Sequence, residues 1–237
     1  MIQNLLIASF ILLMSYLSFY FKKLTFHGAI WGGLLACCIY LGAGFTGLVL
    51  LGFFFLSASL VTSWKLHDKT KLGFAEKEKG MRNASQVLAN GGIAGLCGLC
   101  GYLLSESAWL FELMLAGSLS AAIADTFASE LGVIYGKRHY HILSGKKGRR
   151  GDNGIISLEG TLAGVAGSIA LSALFILMRG GGYHFYWIIL AGIVGNFVDS
   201  ILGASFENKG LLTNEGVNVL NTLSGALTIG ILYYTLG

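Results

Sequence analysis

Apolar residues run along this chain in long stretches, and short polar clusters separate them. A hydrocarbon core needs about 20 apolar residues for each crossing helix. On that measure the pattern predicts helices over 3–21, 26–43, 46–64, 84–104, 108–136, 156–178, 184–206 and 216–236. The predicted fold is an all-α, polytopic membrane bundle of eight helices, a single domain over residues 1–237. The division between the second and third helices is the weakest, because "LGAGFTG" barely interrupts a continuous apolar run. The span 108–136 is long, so its last turns either project from the bilayer or break near Gly132.

Composition points the same way. The chain is 54% hydrophobic and 12% charged, where a soluble domain is nearer a quarter charged. Its 35 glycines suit helices that must approach closely without a hydrophobic drive between them. The first apolar segment lacks a basic start and is followed by Lys22 and Lys23, which reads as a retained helix and not a cleaved signal. The "CGLC" pair has no second pair or histidine cluster beside it, so Cys97 and Cys100 read as packing residues.

Charge supplies the orientation. Of the 16 lysines and arginines, all but Arg179 fall in loops that follow odd-numbered helices. The positive-inside rule makes those loops cytoplasmic, including the basic loops 65–83 and 137–155, with both termini outside. The expected setting is a bacterial plasma membrane, with no nucleic acid as partner. The mixed-charge stretch "KLHDKTKLGFAEKEKGMRN" reads either as an interfacial segment near anionic lipid or as a substrate loop.

Four acids stand inside these helices or at their ends: Asp125, Glu130, Glu159 and Asp199. An unpaired acid facing lipid costs about 2.5–3.5 kcal/mol on insertion scales, so each needs a partner, water or a ligand. All four fall on the predicted cytoplasmic side. Asp125, Ser129, Gly132 and Gly136 recur at helical spacing on one face, and Asn196, Asp199, Ser200 and Gly203 form another. Carboxylates beside hydroxyls and bare backbone suit Mg²⁺, which is usually bound through one or two carboxylates plus phosphate oxygens and waters. The candidate metal ligands are Asp125, Glu159 and Asp199. The competing reading is that these groups pair with one another and fix helix packing.

Further polar clusters adjoin the acids. Arg82, Asn83, Gln86 and Asn90 lie mostly on one face of the fourth helix, running inward from the cytoplasm. Asn214, Asn218 and Asn221 either complete a polar site or cap and pack the last helix. "GRRGDNGIISLEGT" leads through a turn to a helix start, where backbone N–H groups could receive phosphate or Ser157 could serve as an ordinary cap. No histidine cluster and no GxxxxGK[ST] loop is present.

Five ordered motifs, "RNASQVLANGG", "ADTFASELG", "ISLEGTLAG", "GNFVDSILGA" and "TNEGVNVLN", resemble the integral-membrane family that includes transmembrane protein 19 and the plant plastid phytyl-phosphate kinase. "DTFASELGVIYGK" and "LEGT" are also similar to motifs of CTP-dependent polyprenol kinases such as dolichol kinase. The second resemblance implies that Asp125, Glu130, Lys137, Glu159 and Gly160 surround nucleotide and Mg²⁺, with Thr161 closing the "LEGT" motif. Together the resemblances imply an enzyme that moves a phosphoryl group from a nucleoside triphosphate, CTP favoured, to an isoprenoid lipid monophosphate. Arg82 and Lys137 would assist at the phosphates. The alternatives are an ion-coupled transporter using the same acids, and a lipid cytidylyltransferase that releases diphosphate.

Overall fold

The apolar run that the sequence barely divides turns back on itself at a single glycine. In the computed structural model, which describes residues 2–71, 73 and 80–236, α1 (Ile2–Tyr20) leads into α2 (Phe26–Ser63). Gly44 breaks α2 with φ 56° and ψ −145°, a region open essentially to glycine alone. Beyond it the chain reverses. A Cβ on Gly47 would lie 3.2 Å from the carbonyl oxygen of Ile39, whereas eight residues of straight helix span about 12 Å. At the other end Lys23 Nζ donates to Ser63 Oγ at 3.0 Å, so both ends of the hairpin share one face of the bundle. The two arms of α2 are the predicted second and third helices.

The remaining spans follow as α4 (Ala84–Leu103), α5 (Ala108–Tyr135), α6 (Leu158–Arg179), α7 (His184–Leu202) and α8 (Asn214–Leu236), with a short α3 (Leu66–Lys71) preceding α4. The eight-helix, all-α membrane architecture therefore holds. Helix α5 runs unbroken through Gly132 to Tyr135. The final turn of the predicted seventh span is a π-helical turn, Gly203–Glu207.

Helix α5 is the axis of the bundle, touching α2, α4, α6, α7 and α8. Its central stretch is 72% buried, against 28–39% for the other long spans. The run "AGSLSAAIA" explains the position: small side chains let neighbouring backbones close in. Between α2 and α4 the approach is closest, and a Cβ on Gly42 would overlap the carbonyl of Gly98. Cys97 is buried in this packing, and all four cysteines are free thiols.

Three connections on one face of the bundle carry polar structure. Leu24 bridges to Arg82, whose N–H donates to Lys23 O while its own carbonyl accepts from Thr25 N, both at 3.0 Å. Between α5 and α6, two short antiparallel strands, β1 (Tyr140–His141) and β2 (Ile155–Ile156), shape the loop. Asn208 Nδ2 ties that loop to the end of α7 by donating to Asn153 O at 3.2 Å. Ahead of α4, Lys69 of α3 turns inward, and Lys77 and Lys79 lie outside the described residues.

Candidate functional site

At this same face a cavity of about 290 Å³ opens between α4, α5, α6, α7 and α8, roofed by the α5–α6 loop. Helix α5 contributes Asp125, Ser129 and Glu130, and α7 contributes Asn196, Asp199 and Ser200. Gly160 and Thr161 come from the first turn of α6, Asn214 and Asn218 from α8, and Gln86 and Asn90 from α4 with Arg82 just before it. The faces predicted on α5 and α7 thus point into one space.

Asp125 and Asp199 are the centre of it. They line the same space from two packed helices, α5 and α7, with their carboxyl groups close enough to interact electrostatically. Asp199 Oδ2 is buried and finds no hydrogen-bond partner among the described residues. Two carboxylates so close repel unless a proton or a cation stands between them. Ser129 Oγ donates to Asp125 O at 2.9 Å, which fixes the hydroxyl on the backbone just above the pair.

Glu130 has a partner of its own. Its carboxylate lies 2.5 Å from the ammonium of Lys69, a side chain only 2% exposed. Lys69 Nζ also donates to the carbonyls of Val61 and Thr62 in the last turn of α2, at 2.9 and 3.1 Å. The ion pair therefore ties α3, α5 and the end of α2 together at the cavity rim.

Three predicted site residues stand outside the cavity lining. Asn83 is the N-cap of α4, accepting from Gln86 N at 3.0 Å, while Gln86 Oε1 accepts from Asn83 N. Glu159 points away from the Asp125–Asp199 pair and accepts from Lys137 N at 3.3 Å, capping the end of α5 locally. Lys137 itself is exposed. Ser157 Oγ accepts from Gly160 N at 3.1 Å, so the start of α6 is capped by its own residue. Gly160 also makes a close helix contact, since a Cβ there would sit 2.6 Å from Ala128 O.

Other residues enter the lining without having been singled out. Glu207 continues the α7 face Asp199–Gly203 by one further step of four, a signal that ended too early when that face was stopped at Gly203. His139, Asp152 and Asn153 arrive with the α5–α6 loop. His139 Nε2 is buried without a hydrogen-bond partner among the described residues. No periodicity could place these, because the loop's path depends on its docking against Ala204, where Gly154 at φ +75° backs onto the π-helical turn.

The lining is rich in carboxylates, with Arg82 the one Lys or Arg among the described lining residues. Its guanidinium lies over the Phe54 ring at 5.6 Å. Among the described residues no group of three or more His, Cys, Asp or Glu side chains is arranged to hold a metal ion. The Asp125–Asp199 pair with its unpartnered oxygen fits a hard cation that completes its shell from phosphate oxygens and water. Glu159 does not belong to that donor set, because it faces the end of α5.

Comparison with known proteins gives a consistent kinship. The family described as "Integral membrane protein DUF92" matches residues 9–226. An uncharacterized membrane protein of Synechocystis is 37% identical over 86% of this chain and 80% of its own length. One from Methanocaldococcus jannaschii is 34% identical over 94% of this chain and 92% of its own length. The chloroplast protein VTE6 of Arabidopsis thaliana is 33% identical over 78% of this chain and 57% of its own length. No solved structure matches the chain.

Proposed function

The chain belongs to the DUF92 family of integral membrane proteins, and on that footing we propose that it is a lipid-phosphate kinase. It transfers the γ-phosphoryl group of a nucleoside triphosphate, CTP favoured, to an isoprenoid monophosphate such as phytyl or geranylgeranyl phosphate. The products are the isoprenoid diphosphate and a nucleoside diphosphate. The observation that carries this reading is the meeting of Asp125 and Asp199 in a polar cavity confined to the basic-loop end of the bundle. The motif resemblance to phytyl-phosphate and polyprenol kinases supplies the substrate class.

Phosphoryl transfer asks mainly for positioning and charge stabilisation, and little covalent chemistry from the protein. An oxygen of the lipid phosphate forms the new bond to the γ-phosphorus as the bond to the nucleoside diphosphate breaks. That oxygen is already largely deprotonated at neutral pH, since the second ionisation of a phosphate monoester lies near pH 6, so no protein base is required. Asp125 and Asp199 would hold Mg²⁺, which supplies neutralisation of the phosphate charge when bound. Arg82 lines the cavity on the α4 side, and its guanidinium would give a bidentate fork to phosphate oxygens. Asn90, Asn214 and Asn218 add neutral donors that orient phosphates without adding charge. We place this site at the cytoplasmic face of a bacterial plasma membrane, from the basic loops around it.

The arrangement favours this chemistry over ion transport. Two of the deeper hydroxyls are spent on packing: Ser120 Oγ donates to Ile188 O at 2.8 Å and Ser172 Oγ to Phe185 O at 2.8 Å, while Ser118 Oγ and the amide of Asn221 are buried without a hydrogen-bond partner among the described residues. The test is incubation of purified protein with Mg²⁺, each nucleoside triphosphate and a panel of isoprenyl monophosphates, with products identified by mass spectrometry. Lipid diphosphate and nucleoside diphosphate are the expected products. Formation of a cytidylylated lipid with free diphosphate would move the protein to the cytidylyltransferases, and ion flux in liposomes without either product would make it a transporter.

A further inference from the structure

The polar cavity does not end at α4. A second, mostly apolar cavity of about 170 Å³ lies between α1, α2 and α4, and Arg82, Gln86 and Asn90 line both. Past these three the walls turn greasy, with Met14 from α1, Leu51 and Phe55 from α2, and Val87 from α4. The slot exists because α1 packs chiefly on α2 and stands off from α4. Its mouth opens on the apolar outer surface of the bundle, where Phe10 and Met14 are 47% and 39% exposed. A Cβ on Gly52, in the wall, would meet no atom within 4 Å.

We infer that this slot seats the head-proximal part of a single prenyl chain, with Arg82, Gln86 and Asn90 forming the neck that passes its phosphate to Asp125 and Asp199. The inference rests on the kinase reading and specifies how that site takes its lipid. Polarity matches such a ligand end to end: a cationic and amide-lined neck for an anionic head, then an apolar trough for a chain. Size matches one chain and not two. The wall of α1 from Ile11 to Ser18 is about 10 Å long at 1.5 Å per residue. The volume holds on the order of six water-sized groups at about 30 Å³ each. That is the five carbons of the first isoprene unit with little to spare, and the open mouth lets the second unit and the rest of the chain run out toward the bilayer. The slot therefore selects for a single slim chain next to the phosphate and tolerates different total lengths.

The experiment uses full-length protein in nanodiscs and a prenyl monophosphate carrying a diazirine in its first isoprene unit. After irradiation, adducts are mapped by peptide mass spectrometry, and phosphoryl transfer is assayed in parallel. Adducts are expected on α1, the 45–63 arm of α2 and α4. Excess unlabelled prenyl monophosphate should suppress them at least tenfold, and the prenyl alcohol of equal length should not. Gly52→Leu, which fills the trough, should cut labelling about tenfold. Gly92→Leu, at another glycine whose added Cβ meets nothing within 4 Å, should leave it unchanged. Adducts on α6–α8, or equal suppression by the alcohol, overturn the slot even if the protein is an active kinase. Phosphate-dependent labelling of the slot without any phosphoryl transfer upholds the slot and overturns the kinase. Should Gly52→Leu fail to fold, the adduct map of the unaltered protein decides alone.

Discussion

Asp125 and Asp199 come from helices 74 positions apart in numbering and meet in the cavity with one carboxylate oxygen left unpartnered. A residue that only packs would tolerate loss of its charge. Asp125→Asn keeps size and hydrogen-bonding capacity, and should lower Mg²⁺-dependent turnover by about two orders of magnitude or more with the thermal melt in detergent retained. Full activity in that variant would remove Asp125 from the site. Glu130 should behave in the opposite way, because its charge is committed to Lys69. Glu130→Gln leaves the buried ammonium without its counter-charge, a loss of about 3–5 kcal/mol of stability for a broken buried pair. A clear drop in melting temperature, with turnover of the folded protein largely retained, is the expected outcome; the reverse pattern would make Glu130 a participant in chemistry.

At the scale of elements, the hairpin in α2 hangs on the backbone of Gly44. A Cβ there would meet no atom within 4 Å, so the penalty of Gly44→Ala is conformational and not steric. It should cost about 1–3 kcal/mol. Gly52→Ala, also in open space but at a helical position, should be neutral or gain up to about 1 kcal/mol from helix propensity. Thermal unfolding of the two single variants separates these effects, and equal melting temperatures would refute the special role of Gly44. The α5–α6 loop is a second element whose shape matters, since its docking on the π-helical turn brings His139, Asp152 and Asn153 over the acids.

Across the whole molecule, charge is distributed by face. The ends of the α2 hairpin, the α5–α6 loop and the α7–α8 connection all lie at the cavity end. At the opposite end Arg179 pairs with Glu112 at 2.5 Å, and its guanidinium lies 5.6 Å over the Trp109 ring. On the proposed orientation, with the basic end cytoplasmic, a cysteine placed at Lys146 should react with an impermeant thiol reagent only after cells are permeabilised. Labelling from outside intact cells would invert the protein in the membrane and put its site on the other face.

Helix number, membrane class and the polar faces of α4, α5 and α7 were legible in the sequence, because each depends on local periodicity. Apolar runs of membrane length declare spans, and steps of three and four declare faces. The α7 face was stopped one step short of Glu207. What periodicity could not show is which charged group turns to which. Glu159 and Lys137 stand together in the "GK" and "LEGT" motifs yet serve the end of α5, because the first turn of α6 aims Glu159 away from the cavity. Lys69 belongs to a basic loop but is drawn inward by Glu130 and two carbonyls across a sequence distance that no spacing rule reaches. The slot beside α1 is likewise a product of packing alone. Its walls read as ordinary membrane helix residue by residue, and only the stand-off of α1 from α4 leaves room between them.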